Sequence, residues 1–215
     1  MFGDWRFASS KWRLVPLGSK LDFLTSGSRG WAEFYRDRGA KFLRIQNVKR
    51  DHLDLSDIAF VEAPATAEAR RTRVQSGDVL LSITADLGRT AAVPDDIGEA
   101  YINQHLAILR SSALVPRFLS ATLACPAGQA DILKKNREGV KAGVNFDDVR
   151  SIQIPDAPLC EQRTLAERLS EIDKLKFSYC AHLAKLEALF ASLQHRAFNG
   201  KLSSKDAERE LEMVG

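Results

Sequence analysis

The sequence predicts an α+β protein: a globular domain of many short strands, followed by one long coiled-coil helix. Three observations carry that reading. Short apolar runs such as those within Val74–Ile83 and Tyr101–Arg110 recur between turn residues. A few stretches, Ala63–Arg73, Pro116–Cys125 and Ala127–Lys135, have helical composition between them. Finally, Leu165 to Ala197 carries apolar residues at alternating steps of four and three.

Trp12 to Leu17 opens a first element, closed by a turn at Pro16 and Gly18. Leu21–Leu24 reads as a short strand or helical turn before the polar loop Thr25–Gly30, where two glycines let backbone N–H groups approach a ligand. Trp31, Phe34 and Tyr35 follow at helical spacing and read as core aromatics more readily than as a stacking platform. Lys41 to Val48 alternates and reads as a strand. Gly77-Asp78 turns the chain into a buried strand ending near Ile83, and Thr90–Val93 is another strand ending at Pro94. Tyr101–Arg110 is a further strand region. After the two helices comes a polar loop, Asn136 to Asn145, and Ser151–Ile154 is the last strand before Pro155 and Pro158.

The final element is the long helix. Leu165, Ile172, Tyr179, Leu186 and Leu193 form one column, and Leu169, Lys176, Leu183, Phe190 and Ala197 a second, a seam of period 3.5. No Pro or Gly interrupts Cys160 to Asn199, and Gly200 stands where a helix end favours positive φ. About 38 residues at a rise near 1.5 Å make a rod on the order of 55 Å. One helix cannot bury its own stripe, so the seam predicts a dimerisation spacer. Packing on its own domain is the plainer alternative. The expected division is residues 1–158 globular, 159–200 helical spacer and 201–215 a charged tail.

Composition sets the class. With 215 residues, 45% apolar and 27% charged, the chain suits one domain plus an extension. It lacks an apolar run of about 18 residues, and Met1–Ser10, with Asp4 and Arg6, has no apolar signal core. Cys125, Cys160 and Cys180 are an odd set without metal or disulfide spacing, which suits a cytoplasmic protein. Residues 1–158 carry 22 Lys and Arg against 19 Asp and Glu, and 159–215 carry nine of each. The positive excess therefore sits on the globular part, compatible with a nucleic-acid face but weak as evidence for one.

Catalytic patterns are missing. There is no G-x-x-x-x-G-K-[ST], G-x-G-x-x-G, H-E-x-x-H or G-x-S-x-G. His52, His105, His182 and His195 have no ligand spacing with the cysteines. Pro94-Asp95 and Pro155-Asp156 lack the Glu-x-Lys that would complete a nuclease metal site, and no element of the kind amino-methyltransferases use to hold a flipped base is present. The expectation is a chain that is not an enzyme and holds neither metal nor cofactor.

Several short matches then line up in order. Trp12–Gly18, Gly77–Leu81, Leu87–Arg89, Asn103–Leu106, Ile154–Gln162 and Arg196–Leu202 together resemble the specificity (S) subunit of type I restriction-modification systems. Ile154–Gln162 is similar to that family's "IP-x-PPL-x-EQ" start of a long helix, with Ala157 where a proline is usual, and Arg196–Leu202 resembles its "AF-x-G-x-L" close.

The resemblance implies a non-catalytic, DNA-binding target-recognition domain followed by a spacer, in a half-size form with one recognition domain instead of two. It also implies partners: double-stranded DNA, a methyltransferase (M) subunit that carries S-adenosylmethionine, and a restriction (R) subunit where a system has one. No membrane is involved. Two copies pairing their seams antiparallel through Leu165, Leu169, Ile172, Lys176, Tyr179, Leu183, Leu186, Phe190 and Leu193 would rebuild the two-domain arrangement. The expected target is then an interrupted palindrome.

Residues with the right chemistry for DNA are Ser26, Ser28, Arg29, Arg36, Arg38, Arg44 and Asn47, then Thr84, Arg89, Lys134, Lys135, Asn136, Arg137, Lys141 and Asn145. Arg suits guanine, Asn and Gln adenine, and Lys phosphate. For each, the competing role is a solvated charge or a turn-capping side chain. A coiled-coil adaptor that binds protein is the alternative function. A pairing with a different S protein would give an asymmetric target.

Overall fold

The computed structural model describes residues 12–136 and 143–201. In chain order the elements are β1 (Leu14–Pro16), β2 (Phe23–Ser26), β3 (Tyr35–Arg36), β4 (Ala40–Leu43), β5 (Ala59–Val61), α1 (Ala67–Arg71), β6 (Val79–Ser82), β7 (Thr90–Ala92), β8 (Ala100–Ile102), β9 (Leu106–Arg110), α2 (Pro116–Ala124), α3 (Pro126–Lys134), α4 (Phe146–Arg150), β10 (Gln153–Pro155) and α5 (Leu159–Phe198). Short 3-10 turns fill Leu17–Lys20, Trp31–Phe34 and Ile45–Asn47. Contacts divide the chain into two units, Met1–Ala166 and Glu167–Gly215. The expected α+β class, with many short strands and a long final helix, is what the structure has.

The first unit is layered. One four-stranded sheet runs β2-β9-β6-β7, all antiparallel, and a second runs β3-β5-β4-β8, with β4 and β8 parallel. Successive side chains of a strand face opposite ways, and both faces of the first sheet are covered. Val79 and Leu81 of β6 and Ala107 and Leu109 of β9 enter one core, with Leu119, Leu123 and Ile132 from α2 and α3. Leu80, Leu106 and Ile108 enter a second core together with Leu43, Ala100 and Ile102 of the other sheet. The far face of that sheet carries Phe42 and Tyr101 into a third cluster with Trp31, Val61 and Ala69. Double-sided burial is why β6 and β9 read as unbroken apolar runs and not as alternating ones.

A two-stranded clasp closes the unit. β1 pairs antiparallel with β10, Val15 opposite Ile154. Beside it the Asp156 amide donates to the Arg13 carbonyl, and its carboxylate meets Lys20 at 2.6 Å and Arg13 at 3.4 Å. These partners, Lys20 first, hold the Asp156 carboxyl below the usual carboxylate range.

Three local expectations need correcting. The strand read over Lys41–Val48 stops at Leu43, because Asn47 folds Ile45–Asn47 into a turn: its Oδ1 accepts from the Arg44 amide at 3.0 Å. The Tyr101–Arg110 region splits in two around Asn103–His105. Helix α4 was not foreseen, although Asn145 and Asp148 cap it reciprocally, the Asp148 amide donating to Asn145 Oδ1 at 2.8 Å and the Asn145 amide to Asp148 Oδ2 at 3.0 Å.

Tyr101 gives the first unit an alkaline limit. Its ring packs on Trp31 at 5.2 Å between centroids, and its hydroxyl donates to Glu99 Oε1 at 2.7 Å. Burial first, then the Glu99 carboxylate, pushes the phenol up to about 12. Below pH ~10 the phenol is neutral in both the folded and the unfolded chain. Between pH ~10 and ~12 the unfolded chain releases its proton first, so stability falls as pH rises through that window. Melting scans from pH 9 upward are expected to show Tyr101→Phe losing this part of the fall, while starting about 1 kcal/mol less stable for want of the hydrogen bond.

The helix α5 has 40 residues, a length of about 60 Å. Its start is anchored in the first unit by Gln162, 2% exposed, whose amide donates to the Ala157 carbonyl at 2.8 Å and whose Oε1 accepts from the Val115 amide at 2.8 Å. The Glu-Gln of the helix-start motif therefore has a physical reason: the glutamine ties the first turn to the loop ahead of α2. Further along, Ile172, Lys176, Tyr179, Leu183, Leu186 and Phe190 are exposed, and Leu165, Leu169 and Leu193 are half-buried. Leu175 and Leu189, each one residue ahead of a seam position, are also exposed and widen the stripe. None of the described helices is long and apolar enough to cross a membrane.

Candidate nucleic-acid interface

Two of the loops singled out by composition meet around one turn, Asn103–His105. Gly27 sits so close to it that an added Cβ would lie 2.1 Å from the Asn103 carbonyl oxygen, so only glycine lets β2 run on into the loop here. Ser28 bridges to Asn103 along the backbone. On the other side, Thr84 Oγ1 lies 2.7 Å from His105 Nδ1, and Gln104 Nε2 3.1 Å from His105 Nε2. With the Gln104 amide donating to Nε2, Nδ1 carries the proton and donates to Thr84. Thr84 in turn bridges to Gly143, whose amide donates to Asn136 Oδ1 at 3.0 Å.

The turn itself is built by Asn103. Its side chain accepts from the His105 amide at 3.2 Å, and its own amide donates to the Leu43 carbonyl at 3.1 Å. Asn103 is thus occupied by the fold, while Gln104 stands half-buried at the tip. Ser26, Ser28, Arg29, Thr84 and Asn136 are consequently brought into one neighbourhood through this turn. Within it Arg29 is exposed, whereas Ser28 is buried and accepts from Trp31 Nε1 at 2.9 Å.

The other candidates lie elsewhere in the first unit. Arg36 and Arg38 line an open cleft of 740 Å³ with Glu62 and Glu99, and Arg36 is paired with Glu62 at 3.1 Å. Arg44 reaches Asp57, at 2.9 Å to its carbonyl and 3.3 Å to its carboxylate. Asn47 is 1% exposed and donates to the Asp54 and Asp57 carbonyls, both at 3.0 Å. Arg89 Nε donates to Asp86 at 2.6 Å. Lys134 is exposed at the end of α3, Lys135 lies 3.8 Å from Asp131, and Asn145 caps α4. Arg137 and Lys141, with Gly139, lie outside the described residues, as do Leu202 and the tail from Ser203 to Gly215. Among the described residues no group of His, Cys, Asp or Glu is placed to hold a metal ion.

Sequence reasoning passed over Arg70 and Arg71. Their signal was the basic run Arg70-Arg71-Thr72-Arg73 at the end of a short helix, next in space to a loop far away in sequence. Arg71 Nη1 donates to the Ser26 carbonyl at 2.9 Å and to Thr25 Oγ1.

No family model matches the sequence. The specificity subunit of the type I restriction enzyme EcoBI of Escherichia coli is 23% identical over 175 residues, 78% of this chain and 36% of that protein. A solved chain from work on complex assembly and conformational transition of a type I R-M system superposes with TM-score 0.62 at 24% identity, over 90% of this chain and 47% of the other. The HsdS subunit of Thermoanaerobacter tengcongensis gives TM-score 0.56 at 23% identity, over 90% and 46%. The structural likenesses concern the fold. In sequence the chain is similar to specificity subunits of type I restriction enzymes, and in fold to solved chains of that kind, spanning about a third of the curated one and nearly half of the solved ones.

Proposed function

We propose that this chain recognises a DNA sequence for a type I restriction-modification complex, residues 1–158 being one target-recognition unit and residues 159–200 its spacer. The observation that supports this best is a fold likeness covering 90% of the chain, too much to be confined to the globular unit, alongside a sequence match to specificity subunits. In this reading the chain works in the cytoplasm and holds no cofactor of its own. S-adenosylmethionine chemistry belongs to a methyltransferase subunit docked on the spacer, and cleavage to a restriction subunit where the system has one.

The exposed stripe on α5 supports a homodimer. Tyr179 and Phe190 are 70% and 63% exposed, surface that a second helix would cover. Antiparallel pairing centred between residues 181 and 182 sets Lys176 against the partner's Glu187. A helix of about 60 Å spans ~18 base pairs at 3.4 Å each. Twofold symmetry then makes both domains read the same short sequence in opposite directions, a palindrome of two half-sites of ~3–5 base pairs around an unread gap.

Sedimentation of the purified chain, alone and with its M subunit, tests the pairing. Selection from random duplexes tests the target. A dimer that takes up two M subunits and enriches an interrupted palindrome is the expected result. A monomer that stays monomeric with M defeats the paired-spacer reading, and selection without any motif defeats sequence recognition. Within the seam, Lys176→Leu is expected to tighten the dimer roughly tenfold, because a lone charge at a seam position trades stability for register. A dimer unchanged or weakened by Lys176→Leu would remove that role.

A further inference from the structure

The loop Thr25–Gly30 and helix α1 face each other across a small groove. Ser28, Arg29 and Trp31 line one wall, and Thr66, Glu68 and Ala69 the other. Arg71 fastens the walls together: from α1 its guanidinium reaches the end of β2, donating to Ser26 O and Thr25 Oγ1, with Glu68 3.7 Å away. Arg29 lines the groove and Arg70 follows Ala69 in α1; both are exposed, and neither side chain has a hydrogen bond or ion pair with a described residue. They share this with Arg38 and differ from Arg36, Arg44, Arg89, Arg110 and Arg150, each of which faces a carboxylate.

Arginine presents a planar fork of donors that suits phosphate oxygens, and it is weakly hydrated for a cation. Here one fork is already ordered by backbone and hydroxyl acceptors, and two more stand free. Next to Arg29, Gly30, at φ +86° with no atom within 4 Å of a built Cβ, leaves the loop tip bare, so a ligand can come up to the main chain. The ligand class follows from the groove's shape and charge. At 160 Å³, with Glu68 in its wall, it is a poor trap for a free phosphate ion. A polymer with regularly spaced phosphates can lie over the groove, engage Arg29 and run on along α1 to Arg70 without entering the floor.

We propose that Arg29 and Arg70, with Arg71 as the residue that positions them, form a clamp on the phosphate backbone of duplex DNA. It fixes the register of the recognition unit and does not read bases. The inference rests on the DNA-recognition function proposed above.

The test uses the full chain and a labelled duplex of arbitrary sequence, with affinity measured at several salt concentrations. Each lost phosphate contact lowers the slope of log affinity against log salt by ~0.9. Arg29→Ala and Arg70→Ala are each expected to lower it by about that much and to weaken binding severalfold at low salt, and Arg29→Lys to keep most of the slope. Arg150→Ala removes the same charge from α4, where Arg150 faces Asp147, and is expected to leave the slope as it was. Both arginines are exposed, so melting temperature should not move. If the parent chain binds while Arg29→Ala and Arg70→Ala keep its slope, or if Arg150→Ala lowers it equally, the clamp is refuted and DNA recognition stands. A parent chain with no duplex affinity at low salt refutes both.

Discussion

Replacing Asp78 with alanine is expected to destabilise the first unit by about 3–5 kcal/mol, the cost of removing one partner from a buried ion pair. The Asp78 side chain is wholly buried and accepts from Arg110 Nε at 2.6 Å, from Arg110 Nη2 at 2.8 Å and from the Gln75 amide at 2.7 Å. The hydrogen bond it donates to Asp78 is the main reason the Arg110 guanidinium is held above its ordinary pKa. Asp78 ends the turn into β6 and Arg110 ends β9, so the pair pins together two central strands. Arg110 also lies over the Phe23 ring at 5.1 Å, tying in β2. Alanine strands the guanidinium and the Gln75 amide together. Thermal unfolding should show a fall on the order of 10 °C for a domain of this size. Because Arg110 is partly exposed, water rescues some of the loss, and a fall of under about 1 kcal/mol would mean that the pair is little more than a surface bridge.

The second large effect is expected at Gly27. A Cβ there would lie 2.1 Å from the Asn103 carbonyl oxygen and 2.4 Å from that of Ile102, backbone atoms that have little room to move. Asn103 O already accepts from Leu106 N at 3.1 Å, and Asn103 N donates to Leu43 O, so the turn is held from both sheets. Gly27→Ala must therefore push the loop off the turn, at a cost of about 2–3 kcal/mol. Since that loop carries Arg29, duplex affinity should fall with stability. Gly30→Ala is the contrasting variant. It meets no atom but holds φ at +86°, so it should cost about 1 kcal/mol and leave the loop seated. Equal losses from the two variants, by chemical denaturation, would show that the close approach at Gly27 costs no more than the positive φ at Gly30.

The elements that the sequence exposed most clearly are those whose signal is local. β6, α2, α3 and α5 are marked by unbroken apolar runs, by Pro116 and Pro126 at the first helical position, and by heptads. What escaped depends on distant partners or on a single side chain. The clasp joins Val15 to Ile154 and leaves no trace in either tripeptide. Asn47 looks like one more polar residue on an alternating strand until Asp54 and Asp57 arrive to accept its amide. Asn145 could have been read better, since Asn-x-x-Asp is a helix-start signature, yet five residues are too few for periodicity to speak. The candidate DNA residues divide for the same reason. Composition marks polar loops, but only the fold reveals that Asn103 serves the turn, that Ser28 is sealed under Trp31, and that Arg71 ties α1 to the end of β2.

The clasp also bears on how the protein comes to be made. Synthesis delivers β1 at residue 14 and β10 only at residue 153, and neither can pair until both exist. Until then Val15 and Leu17 must wait beside a growing chain, apolar and without the Ile152 and Ile154 that will cover them. Such late, long-range closure slows folding and leaves sticky surface open meanwhile. The nascent chain is thus most vulnerable just before its globular part is complete, and the first turn of α5, fixed through Gln162, is among the last pieces to lock.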